Sequence, residues 1–142
     1  MKSEIAGATR VIPEPFDRAL LQIRRLLAGQ GLNVVEQLDM SSEPSLQPGI
    51  SARSFVILLV DSPVLLFEAI ALDRAAAVFV PLHVVVSGDQ DTSYVLWVNP
   101  VSESGLRPPA PARSALGELY VRVTEALSEL PRDAAAQSIQ PN

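Results

Sequence analysis

The sequence contains no cysteine, a single histidine, a single tryptophan and a single lysine. Without cysteine there are no disulfides, no thiol nucleophile, no thiolate zinc site and no iron–sulfur cluster. One histidine, His83, leaves too few imidazoles for a histidine-based metal cage, and no spaced His/Asp/Glu set accompanies it. No metal and no cofactor are therefore expected. Basic charge is also sparse: 11 Lys and Arg stand against 16 Asp and Glu, a net charge of −5. The arginines are scattered, Arg24-Arg25 being the only adjacent pair. Nucleic-acid binders concentrate positive charge on one face to displace counterions from phosphates, so no nucleic-acid partner is expected.

Long apolar runs are missing too. The longest, Phe55 to Val60, is far too short to cross a bilayer, and the first ten residues lack the apolar stretch of a signal peptide. A soluble, cytoplasmic protein is expected, with no membrane partner. Glycine-rich phosphate loops and a Gly-x-Ser-x-Gly elbow are absent as well; Gly29 and Gly31 follow a helix, where a dinucleotide fingerprint follows a strand.

What is present is material for a core: 48% hydrophobic and 19% charged residues in a chain of 142, the size of one ordinary domain. A helix is predicted after Pro13 and Pro15, because Phe16, Ala19, Leu20, Ile23, Leu26 and Leu27 recur at three- and four-residue steps. Gly29 and Gly31 end it. Val34, Val35 and Leu38 read as a strand, the Ser/Pro-rich segment 41–49 as a loop, and 54–60 as a strand either buried on both faces or in a central place in the sheet. Asp61-Ser62-Pro63 is a helix start, where a capping side chain contributes about 1 kcal/mol. The helix over 64–72 carries only Glu68 as a charge. Being apolar nearly all round, it is predicted to be covered on most sides, self-association being one way.

A strand starting near Leu82 and a strand over 92–98 form a predicted hairpin about the turn 87–91. A proline-rich linker over 101–111 then leads to a last helix with Leu116, Leu119, Tyr120, Val123, Leu127 and Leu130 on one stripe. Residues 131–142 are expected to be a flexible tail. The fold class is α+β: a mainly antiparallel sheet of about five strands with three helices packed against it, in the order β-α-β-β-α-β-β-α, as one domain over 8–130.

Several stretches together carry a resemblance: a strand ending in proline before an amphipathic helix, Gly31-Leu32-Asn33-Val34-Val35, the apolar strand into Asp61-Ser62-Pro63, Val80-Pro81-Leu82-His83-Val84-Val85-Val86, and a strand closing on Asn99-Pro100. Over residues 8–130 the chain resembles the family called domain of unknown function 302. The resemblance implies a compact α+β fold, often a homodimer, in bacteria and archaea, and brings no established activity. Some relatives carry Cys, His and Cys where this sequence has Asp61, Phe67 and Leu82, so redox or metal chemistry resting on those ligands is not inherited.

His83 could act as a general base if a carboxylate such as Asp61 or Asp39 oriented it in an apolar cleft; a half-buried strand histidine is the simpler account. Asp61 and Ser62 stand where helix amides could hold an anion, although Asp61 would repel it and capping explains both. Asp89 and Asp91 supply too few oxygens for calcium. Tyr94 and Trp97, at odd spacing on one strand, face opposite sides. His83, Tyr94, Trp97, Ser62 and Phe67 are the candidate ligand-contacting residues. The leading expectation is a non-catalytic domain that homodimerises and binds a small apolar or amphipathic ligand. The alternatives are a small enzyme using His83 and an accessory module for another protein.

Overall fold

The computed structural model describes residues 7–40, 54–99 and 110–131. The loop expected at 41–49, most of the linker expected at 101–111, and the tail expected beyond Pro131 lie outside the described residues.

Five strands form one sheet: β1 (Gly7–Ile12), β2 (Asn33–Asp39), β3 (Ser54–Asp61), β4 (Leu82–Gly88) and β5 (Ser93–Val98). Their order across the sheet is β1-β5-β4-β3-β2, and every neighbouring pair is antiparallel. Three helices accompany them: α1 (Phe16–Gly29), α2 (Pro63–Leu72) and α3 (Arg113–Leu127). The chain is thus α+β with the expected element order, plus 3₁₀ turns at Arg74–Phe79 and Ala110–Ala112.

All three helices lie on one face of the sheet. There Val56, Leu58 and Val60 of β3, Val84 and Val86 of β4, and Val95 and Trp97 of β5 meet Ile23 and Leu27 of α1, Leu65 and Ala69 of α2, and Leu116, Leu119 and Val123 of α3 in a single buried core. The 3.6-residue periodicity of α1 and α3 selects these faces, and α3 packs against both other helices. Strand parity does the rest: alternate residues of β3, β4 and β5 turn inward, and their neighbours turn to the other side.

No described helix covers that second face. The register places Leu38, Ile57, Val85 and Leu96 in one row across four strands. Phe55, Ser87, Tyr94 and Val11 form a row on one side of it, and Glu36, Leu59 and His83 a row on the other. A bulge between Val34 and Glu36 sets this register: it shifts β2 by one residue, so Val34 faces the helices while Leu38 joins the open face.

Local signals account for the ends. Gly31 has φ +76°, the left-handed conformation that lets the chain turn out of α1 into β2. Ser62 is the cap of α2, its Oγ accepting from the Leu65 amide at 3.4 Å, with Pro63 in the first turn. Asp73 starts the first 3₁₀ turn the same way, accepting from the Ala75 amide at 2.9 Å. In the β4–β5 turn, Asp89 Oδ1 accepts from the amides of Asp91 and Thr92, both at 2.9 Å.

Within the described residues helix α2 is covered on one side: Leu65 and Ala69 are buried, while Val64, Phe67 and Leu72 are 64%, 75% and 57% exposed, so the wider coverage expected of it is not supplied by these residues. The helix lies at the margin of the helical layer, against α3 and the two 3₁₀ turns, so one face alone finds neighbours.

Candidate functional site

His83 stands near the start of β4 on the open face, exposed, with Leu59 directly opposite on β3. Pro81 precedes it by two residues, and Val78 reaches the same place from the 3₁₀ turn. With Val80, Leu82 and Val98 these residues line an open cleft of about 420 Å³. The lining is aliphatic except for the imidazole, and no charged side chain belongs to it.

A catalytic arrangement would need a carboxylate on the imidazole. Asp39 is opposite Val56, on the helix-facing side of β2, and so is separated from His83 by the sheet. Asp61 ends β3 two residues beyond Leu59, a diagonal position relative to His83. Among the described residues no hydrogen bond or ion pair joins either carboxylate to the imidazole. A histidine base requires such an orienting partner, and among the described residues neither of these two carboxylates supplies it.

Asp61 borders a separate, narrow crevice with Ser62, Leu65, Leu66, Val80 and three α3 residues. Burial there pushes its carboxyl above the usual value. A raised folded-state value means that this group favours folding below the unfolded pKa, near 3.9, and that the contribution is lost as pH rises through the folded pKa. Asp61→Asn is therefore expected to raise the urea midpoint at pH 7. The gain should be under about 1 kcal/mol, since the group is partly solvated, and it should shrink as pH falls below about 4. A midpoint that drops at pH 7 would show that the charge is useful.

The remaining candidates do not converge on His83. Tyr94 shares the open face but sits at the far end of β5, 38% exposed. Trp97 is a core residue at 1% exposure, its indole N–H donating to Thr124 Oγ1 of α3 at 3.0 Å. Ser62 is buried as the α2 cap, and Phe67 projects outward from α2. Leu82 faces the core opposite Val60. Asp89 is engaged in its own turn. Among the described residues no group of three His, Cys, Asp or Glu side chains is placed to hold a metal ion, and no helix is long and apolar enough to cross a membrane.

Of the cleft residues, sequence reasoning named His83 alone; Leu59, Val78, Val80, Pro81, Leu82 and Val98 were missed. Asp73, a cap residue ahead of Arg74–Phe79, is the local signal that could have located the turn carrying Val78; Leu59 requires the β3–β4 register.

With this geometry in place, the sequence matches the family described as domain of unknown function DUF302 over residues 8–130. The chain belongs to that family. A solved DUF302 structure, described as an uncharacterized conserved protein from Bacillus stearothermophilus, is similar to it. That likeness has a TM-score of 0.73 at 17% identity and covers 86% of this chain and 95% of the other. At that identity it speaks to the DUF302 fold alone. No protein among the curated ones matches the chain.

Proposed function

We propose that this DUF302 chain is a non-catalytic binding domain that works as a homodimer. One observation carries the reading: its chemistry-bearing side chains are dispersed, while large apolar side chains stand exposed on the sheet face and along α2. Scattered exposed hydrophobics are ordinary, but contiguous ones mark interaction surfaces. A small apolar ligand fits the His83 cleft as part of this reading, because apart from the imidazole its lining is aliphatic.

Sedimentation equilibrium across the micromolar range tests the assembly. A mass near twice 15.2 kDa is the expected result; a monomer throughout that range removes the reading's main support.

A further inference from the structure

Two exposed apolar surfaces compete for a partner, and their sizes separate them. The first is the open sheet face. Five strands spaced about 4.8 Å apart, with three residue rows about 6.8 Å apart, span roughly 450–500 Å² in projection. Two such faces in contact remove about 1,000 Å², the lower bound for a specific interface. The second surface is the outer stripe of α2. A helix of ten residues is about 15 Å long and presents an apolar stripe of about 150 Å², interrupted by the exposed charge of Glu68.

Resting on the homodimer reading, we propose that the second copy of this chain seats on the open sheet face, sheet against sheet, and not on α2. The central row is apolar over four strands, at Leu38, Ile57, Val85 and Leu96, with the exposed hydroxyl of Thr9 at its β1 end, so its middle is apolar and its rim polar, as an interface requires. Every strand beneath it is held by ladder hydrogen bonds on at least one edge, so the surface is rigid before it binds. Among the described residues, the carboxylate in these three rows is Glu36, at one corner. A two-fold axis along the central row keeps the two acidic corners apart, one on either side of that row. Packed sheets lie about 10 Å apart with interdigitating side chains, and side chains 38–41% exposed, such as Leu96 and Leu38, have the reach to fill that gap.

Leu96→Lys and Phe67→Lys test the assignment by sedimentation equilibrium, with far-UV circular dichroism as the folding control. Both side chains point away from the core. The expected result is at least about a hundredfold weaker self-association for Leu96→Lys, because two lysines enter one symmetric interface, and an unchanged constant for Phe67→Lys. Should Leu96→Lys fail to fold, Leu96→Cys and Phe67→Cys give a gentler readout, since each introduced thiol is the only one in its chain. Maleimide labelling of the Leu96→Cys variant that slows as protein concentration rises, with labelling of the Phe67→Cys variant constant, supports the proposal. A dimer that survives Leu96→Lys, or concentration-dependent protection of position 67 alone, overturns it while leaving the homodimer reading in place. A wild-type monomer sinks the homodimer reading itself.

Discussion

Trp97→Ala is expected to lower the stability of the fold by about 3–5 kcal/mol, the usual range for removing a buried tryptophan. The indole is the largest of the fully buried side chains, and it joins a strand neighbour to α3. It packs beside Val84 on the helix-facing side of β4, and it donates a hydrogen bond to Thr124 Oγ1 at 3.0 Å. Truncation leaves a cavity that neighbouring strands, fixed by their ladders, cannot collapse into, and it strands the Thr124 hydroxyl. For a domain whose total stability is about 5–15 kcal/mol, many molecules would approach the unfolding threshold. Urea denaturation followed by far-UV circular dichroism measures the effect; fluorescence cannot, because the chain has only this tryptophan. Trp97→Phe separates the contributions: it keeps most of the volume and should lose only about 1–2 kcal/mol. A Trp97→Ala midpoint equal to that of the wild type would contradict the placement of this residue in the core.

The second large effect is expected at Gly88, where one added methyl group should cost about 1–3 kcal/mol. A Cβ there would lie 2.7 Å from the Thr92 carbonyl oxygen, 2.8 Å from Ser93 Oγ and 2.9 Å from Ser93 Cα. Two of those three are backbone atoms, so relief requires the hairpin itself to open. The hairpin is not free to do so. Ser93, fully buried, donates to the Glu14 carbonyl at 2.8 Å, and the Phe16 amide donates to the Asp89 carbonyl at 3.0 Å, so the turn is tied to the start of α1. Gly29→Ala is the matched control. Nothing lies within 4 Å of its added Cβ, and the same substitution there is expected to be neutral or to stabilise by up to about 1 kcal/mol. Thermal denaturation of the two variants should show midpoints moving apart. Equal shifts would mean that the hairpin has room that the structure does not give it.

Much of the architecture was legible because it rests on local periodicity. The three- and four-residue recurrence in α1 and α3 named their buried faces, and Ser62-Pro63 marked the start of α2. Tyr94 and Trp97, three residues apart, had to face opposite sides of a strand, and they do. Where periodicity was silent, reading failed. Helix α2 is uniformly apolar, so nothing in its letters selected Leu65 and Ala69 over Val64 and Phe67; the position of α3 makes that choice. The turn at Arg74–Phe79 was missed because its alanines suit several conformations, and the capping role of Asp73 emerges only with the geometry. The surroundings of His83 depend on cross-strand pairing. Parity along β4 gives its side of the sheet, but the β3 register decides that leucine, and not Asp61, stands opposite.

The way the sheet is strung together has a kinetic consequence. Strand β1 precedes the other described strands yet occupies an edge of the sheet they form, where among the described residues its ladder partner is β5, and Ala8 must find Trp97 across most of the sequence. The hairpin of β4 and β5 can close early, since its loop is short. The N-terminal strand and the helix following it must wait for that hairpin, because joining distant segments carries a chain-closure entropy that only an existing template offsets. During synthesis on the ribosome, β1 therefore emerges well before its β5 partner, whose last residue is Val98.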